Sequence, residues 1–498
     1  MSRTGSDMRA IARGGALNIF GEGGKAVLMT VILLLLARSV TKEEYGIFTL
    51  AQVLALMLIP IGGLGLSRTI SRHIGYYQAL GDRKMVNSVI RSSIHLWPIS
   101  AVAISLLFFA LSVPLGHYVF RHEDYLPNFQ MFSIYVGANI VSQQVGGIFR
   151  GLREVKPKIY FVDLMPRVLA LGIFAVLAYQ GAPILMYSTA YAMCFTASAV
   201  MSIFYLLRHY SLSGAWIPTH MALLAFSLPV LVQEIFFTSN SKLSVLILGI
   251  FVDPATVASY TVAQKIAARI PFINQGMLFI FLPILSGYMA RKDTEAMRKI
   301  YARFTKWVIL LALPGILLLL LFPVQVLALF GDKYRSSWSI LILLTIAHSW
   351  STFLGPAGPT IIAMGRVRML MLFALLTAAV NVSLNVALIP AYGGLGSAIA
   401  TVTALGIYAF LTLGYVYRRA RIHPFNRDYV RLLVHSPGLC FLEHLLIVQY
   451  MGTSILSLAV AVPAFMATVW GLALLLGLIT GSERRAVMRR LHGMFGGR

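Results

Sequence analysis

Residues 45–52, YGIFTLAQ, and residues 257–264, VASYTVAQ, match at Thr49/Thr261, Ala51/Ala263 and Gln52/Gln264 when the chain is slid on itself by 212 positions. Without a gap the register continues through Ala55/Ala267, Gly75/Gly287, Tyr76/Tyr288, Met85/Met297 and Arg91/Arg303. It returns at Val155/Val367, Phe161/Phe373 and Gly181/Gly393. Apolar sequence matches itself easily, so the weight lies in agreement on one offset. That agreement marks an internal duplication.

Each copy is built from apolar runs. The chain is 58% hydrophobic and only 12% charged, with a mean hydropathy of +0.80. Those values fit a polytopic membrane protein and exclude an ordinary soluble domain. Runs of about 20 residues, the length that crosses ~30 Å of hydrocarbon, fall at 14–38, 45–66, 90–112, 127–150, 159–179, 183–207 and 223–250. Seven more follow at 255–284, 303–323, 336–362, 369–389, 394–417, 431–450 and 455–479. Helices satisfy their own backbone groups in lipid, and the alternation of a membrane barrel is missing, so an all-α fold of about fourteen spans is expected.

The 212-residue offset covers six spans, an even number, so both copies take one orientation and a pseudo-two-fold axis along the membrane normal is expected. The expected organisation is a six-helix bundle at 1–210, its repeat at 211–420, and an appended helix pair with a basic tail at 421–498. Transporters of this plan place substrate between the halves and alternate access.

The net charge of +24 is a topology signal rather than a nucleic-acid footprint. With the N-terminus in the cytoplasm, and residues near span ends counted with the adjoining connection, inner segments hold 31 of the 41 Lys and Arg residues, outer loops hold 5, and 5 lie deeper within spans. That is the positive-inside rule, with both termini cytoplasmic. Arg3, Arg9 and Arg13 precede an apolar stretch without a convincing cleavage site, so an uncleaved first helix is expected. Cys194 and Cys440 lie in spans and suggest neither a disulfide nor a metal site. Inner connections 67–91 and 285–306 alternate basic and apolar residues; they read equally as plain loops or as amphipathic helices on anionic lipid.

Charged residues inside spans are expensive, on the order of 2.5–3.5 kcal/mol each at a helix centre. Here they are Glu22, Lys25, Asp163, Arg167, Glu234, Lys242, Lys265, Arg269 and Glu443. Glu22 with Lys25 and Asp163 with Arg167 have the spacing of local pairs. Glu443 is expected at the interface. Lys265 and Arg269 share a face without an acid in their own helix, and their repeat counterparts are Val53 and Met57. Lys242 corresponds to Thr30. The scaffold therefore does not require these three cations, and they are candidates for holding an anion in a water-filled cleft. Glu22 and Glu234 are exactly one repeat apart; with Asp163 they are candidates for H⁺ or Na⁺ coupling. Bending points are offered by Gly21, Gly23 and Gly24 in the first span and by Pro229 in the seventh. No catalytic or nucleotide-binding motif is present, and no outer loop is large enough for the catalytic site of a membrane polymerase, ligase or glycosyltransferase, so no enzyme and no bound cofactor are expected.

The segments LLLLARSVTKEEYGIFTLAQ (33–52), GLGLSRTISRHIGYYQALGD (63–82), GIFRGLREVKPKIYFVDL (147–164), VDPATVASYTVAQKIA (252–267), LFGDKYRSSWSILILL (329–344) and AMGRVRMLMLFALLTAAVNVSLNVALIPAYGGLGSAIAT (363–401) together resemble the polysaccharide or O-antigen flippase family. Its superfamily includes multidrug exporters and the lipid II flippase. The resemblance implies movement of an isoprenoid-pyrophosphate-linked oligosaccharide from the inner to the outer leaflet of the bacterial cytoplasmic membrane, through a cleft lined by basic residues. Lys25, Lys242, Lys265 and Arg269 would meet the pyrophosphate, and Asn18, Gln233, Asn240, Gln264 and Asn274 the sugars. Membrane lipids, a polysaccharide polymerase and other assembly enzymes are the implied partners; nucleic acid is not. The alternative is a cation-coupled drug or small-molecule antiporter of the same superfamily. Five basic against three acidic residues in the candidate set favour an anionic substrate.

Overall fold

The computed structural model describes residues 23–210, 216–291, 293–425, 427–452 and 454–478, all helix, turn or loop without a strand among them. The first helix, α1, covers 23–39. It is followed by α2 (Lys42–Gly63), α3 (Leu66–Ala79), α4 (Arg83–Pro114), α5 (Tyr125–Gly151), the single turn α6 (Val155–Pro157), α7 (Met165–Tyr179), α8 (Ile184–His209) and α9 (His220–Phe251). Next come α10 (Pro254–Ala267), α11 (Ile270–Ala290), α12 (Thr294–Leu321), the short α13 (Pro323–Ala328), α14 (Trp338–Phe353), the short α15 (Ala357–Ala363), α16 (Val367–Ala420), α17 (Arg427–Met451) and α18 (Ser457–Leu475). The chain divides into two compact units, Met1–Ala258 and Ser259–Arg498.

Nine helical stretches among the described residues are long and apolar enough to cross a membrane. At ~1.5 Å per residue, the 54 residues of α16 would far outrun a bilayer as one rod. Gly393, at φ 54° and ψ −130°, breaks it into the two expected spans. Large apolar side chains such as Ile99, Leu106, Phe204, Leu442 and Leu475 stand exposed, where a soluble protein would expose polar groups; in lipid they face their own kind.

In the first unit α5 packs against α2, α3, α4 and α8. Phe48, Phe132, Phe174 and Tyr191 join α2, α5, α7 and α8 through edge-on ring contacts; Phe48 meets Phe132 at 5.1 Å and Tyr191 at 5.7 Å. Apolar burial gives helices little preference for one another over lipid, so such shape-specific packing and hydrogen bonds hold the bundle. In the second unit α16 packs on α14 and α15, α11 on α12, and α18 on α12 and α17.

Local features recur near the repeat offset. Thr41 caps α2 by accepting from the Glu44 amide at 3.2 Å, and Asp253, 212 positions later, accepts from the Thr256 amide at 2.9 Å. Asp82 and Asp293 cap α4 and α12 in the same manner. An N-cap oxygen satisfies an amide that the helix cannot, which fixes where the helix begins.

The basic connection 67–91 is not a plain loop but an amphipathic helix continued by the start of the next. It folds as α3 and the start of α4, with Leu66, Ile70 and Ile74 buried against Val89, Ile148 and Phe149. Its amphipathic pattern answers to the protein interior. The matching connection 285–306 is taken up by the end of α11 and the start of α12.

The two unit-internal elbows differ. In the first, Pro60 weakens the end of α2, and Leu64 and Gly65 are left-handed at φ 51° and 65°. A Cβ on Gly65 would lie 2.6 Å from the Ser227 carbonyl oxygen and 2.7 Å from the Leu231 amide nitrogen of α9. Gly65→Ala therefore meets both a conformational cost of roughly 1–2 kcal/mol and a backbone clash. A clear drop in the thermal unfolding midpoint of the purified protein is expected; an unchanged midpoint would refute this close approach.

Candidate functional site

The second elbow carries the cations. The span expected at 255–284 is interrupted at Ala268–Arg269, where α10 ends and α11 begins. Pro271 has no amide hydrogen to give the Ala267 carbonyl, so the helical ladder is cut there. The Arg269 amide instead donates to the Ile266 carbonyl at 3.1 Å, a tighter turn. Lys265 lies in the last turn of α10, where carbonyl dipoles favour a cation, and Arg269 is the residue before α11. Lys265 is half-buried and Arg269 exposed. Among the described residues no carboxylate forms an ion pair with Arg269. Gln264 is half-buried beside them, and buried Asn274 donates to the Ser351 carbonyl at 3.3 Å.

The first unit holds a second charged group, arranged differently from the local pairs expected. Asp163 does not pair with Arg167. Its carboxylate lies 2.9 Å from Lys158 and 3.8 Å from Lys25 of α1. The cause is a π-helical stretch, Lys158–Leu164, entering α7. Pro166 cannot bond back to Val162, and the wider π turn leaves the Phe161 carbonyl without a helical partner as well. Arg167 serves the freed backbone: its Nη1 donates to the carbonyls of Val162 at 3.4 Å and Asp163 at 2.5 Å. The Ser198 hydroxyl donates to the Phe161 carbonyl. With its guanidinium so occupied, Arg167 leaves the carboxylate to the lysines. Lys158 and Asp163 are buried, their side chains 9% and 6% exposed.

Glu234 is engaged too. Its carboxylate takes an ion pair from Arg68 of α3 at 3.0 Å. Near this contact Arg150 donates to the Ser67 hydroxyl at 2.7 Å, which donates to the Gln143 carbonyl at 2.6 Å. Gln144 donates to the Gly63 carbonyl at 2.9 Å, so the α2–α3 elbow is tied to both α5 and α9. Because the Arg68 side chain is 60% exposed, screening limits this pair to about 1 kcal/mol or less. Glu234→Gln should shift the unfolding midpoint only slightly; a loss comparable to that of a core truncation would contradict that assignment.

Of the other expected site residues, Lys242 is half-buried on α9 and belongs to the first unit, whereas Lys265 and Arg269 belong to the second. Gly23 and Gly24 are helical, and α9 runs through Pro229. Asn18, Gly21, Glu22 and the side chains of Gln233 and Asn240 lie outside the described residues. Glu443 accepts a hydrogen bond from the Thr468 hydroxyl between α17 and α18. Cys194 and Cys440 are both buried and unbridged.

Sequence reasoning missed Lys158 and Arg68 because both were counted among inner-segment topology charges. Lys158 stands five residues before Asp163, a spacing that brings side chains onto one face only in a π-helix; the flanking Pro157 and Pro166 were the available signal.

These features define a multi-pass, all-helical membrane protein with charged residues on interrupted spans. A structure of the lipid II flippase MurJ in an inward closed conformation shares its fold at a TM-score of 0.66. The identity is 13%, covering 92% of this chain and 98% of that one. An inward-facing multidrug resistance transporter of the MATE family shares it at a TM-score of 0.65 and 14% identity, over 80% of this chain and 94% of that one. The fold is thus that of the MOP-superfamily transporters.

The sequence pattern of the polysaccharide biosynthesis proteins matches residues 11–289, more than half of the chain, and the protein belongs to that family. A relative from Haloferax volcanii, the probable low-salt glycan biosynthesis flippase Agl15, is 22% identical over 408 residues, covering 80% of this chain and 81% of its own length. By their descriptions, these relatives are a probable flippase, a flippase and a transporter.

Proposed function

We propose that the protein is a flippase that moves an isoprenoid-pyrophosphate-linked oligosaccharide from the inner to the outer leaflet of the cytoplasmic membrane by alternating access, for the synthesis of a surface polysaccharide such as an O-antigen or exopolysaccharide. The observation that carries this reading is the placement of Lys265 and Arg269 at a helix break inside an otherwise apolar span. A break frees backbone groups and admits water at a depth where two cations are otherwise costly. An anion that sheds hydration in crossing would be held there. Lys25 and Lys242 are assigned to the same headgroup, and Gln264, Asn274, Asn18, Gln233 and Asn240 to the sugars.

Fourteen crossings, two related six-helix halves at 1–210 and 211–420, an appended pair at 421–498 and both termini in the cytoplasm complete the proposal. The glycan polymerase and other assembly enzymes are its proposed partners. Glu22, Glu234 and Asp163 are the proposed coupling acids. A proton or Na⁺ at Asp163 or Glu234 must displace a lysine or an arginine, so coupling would break these pairs. The same engagement of acids by basic side chains weighs against the cation-coupled antiporter.

The test is complementation of a flippase-deficient strain supplied with the cognate lipid-linked glycan. Restored surface polysaccharide is the expected result. Failure with verified membrane expression, together with efflux of a cationic drug, would replace this reading with the antiporter.

A further inference from the structure

A cavity of about 270 Å³ lies wholly within the second unit, where α11 ends, α12 begins, α15 meets α16, and α16 ends. Its walls include Met289, Met297, Met364 and Tyr415, and its charges are Arg366 and Arg419; among the described residues no acid lines it. The Arg419 guanidinium lies 5.9 Å from the centre of the Tyr415 ring, a contact that stiffens a long side chain. Arg366 is the residue before α16, and both arginines are exposed at the cavity.

The duplication offers a comparison. Residues 212 positions earlier are Glu154 for Arg366 and Leu207 for Arg419. The fold therefore does not demand arginine at either place, and the paired positive charge belongs to this unit's own surface. Two guanidiniums suit a phosphate, which each can meet with paired N–H donors. The space equals about nine waters at ~30 Å³ each, enough for a phosphate and a short alcohol but small for an oligosaccharide. Val367, Met371 and Tyr417 stand exposed on the flanks of α16, so apolar surface that meets acyl chains runs up to the arginines.

The geometry points to a binding site for one anionic glycerophospholipid, its phosphate held by Arg366 and Arg419 and its acyl chains along α16. The site is separate from the cations at the α10–α11 break and stands whether or not the flippase reading does.

The test uses the full-length protein in lipid nanodiscs and in detergent, with retained lipid counted by native mass spectrometry. Added phosphatidylglycerol should leave one more lipid bound to the wild type than to Arg366→Ala/Arg419→Ala, with apparent affinity falling about tenfold or more. Arg366→Lys/Arg419→Lys should retain partial binding, and Arg368→Ala, which removes a nearby charge that does not line the cavity, should behave as the wild type. Helical content and elution volume verify that each variant is folded. Equal loss in Arg368→Ala would reduce the effect to general basic charge and overturn the site. Displacement by millimolar inorganic phosphate would assign the cavity to free phosphate and overturn the lipid; unchanged retention in the folded double alanine variant would overturn both.

Discussion

Replacing Lys265 and Arg269 together by alanine is expected to abolish complementation while leaving the protein in the membrane at wild-type abundance. Hydrogen bonds to charged groups contribute about 1.5–3 kcal/mol each. Losing one from each cation removes at least about 3 kcal/mol, on the order of a hundredfold in affinity. The scaffold should tolerate the change, because Val53 and Met57 stand at the corresponding positions of the proposed repeat and alanine favours helix on both sides of the break. Two readouts separate binding from folding: the unfolding midpoint, expected to hold or rise as an intramembrane charge is removed, and surface polysaccharide, expected to vanish. Polysaccharide at wild-type levels in the double variant would remove these residues from the transport path.

Asp163→Ala is expected to be the most destabilising single change in the first unit. It leaves Lys158 buried, with Lys25 beside it, and takes away the carboxylate that lies between them. Breaking a buried pair by removing one partner costs about 3–5 kcal/mol, because the remaining charge is uncompensated. Asp163→Asn keeps the shape and should lose nearly as much. Asp163→Asn combined with Lys158→Met should recover a large part of the loss, since an apolar side chain replaces the ammonium that had faced the lost carboxylate. The measurement is thermal unfolding in detergent across the four proteins. Should Asp163→Asn match the wild type, the carboxylate would be no structural counter-ion, and a role reserved for transport would gain ground.

How much of this was legible in the sequence is clearest from particular residues. The 212-residue register was read from identities such as Thr49/Thr261 and Gln52/Gln264; the caps Thr41 and Asp253, 212 positions apart, escaped that reading because two different residue types perform one task. Gly393 was placed between two apolar runs, and there the helical rod turns. The acids were found as intramembrane charges, but their partners were not. Asp163 was matched to Arg167 by the spacing of a regular α-helix, and the π-helical entry to α7 changed that spacing. Glu234 was compared with Glu22 along the chain, whereas its ion-pair partner, Arg68, comes from a connection whose basic residues were counted as a topology signal.

Composition, hydropathy and the bias of basic residues by themselves determined an all-helical, multi-pass membrane protein, because lipid admits few backbone solutions and each leaves long, regular patterns; the family came from the resemblance of six segments. Which charges meet was decided only by the tertiary structure. Proline and glycine free carbonyls and bend helices, and neighbouring helices then supply the groups that satisfy them. Arg167 is drawn to the Val162 and Asp163 carbonyls, and Lys158 takes the carboxylate in its place. Local spacing could not reveal that exchange, because it depends on a helical register that the sequence period does not encode.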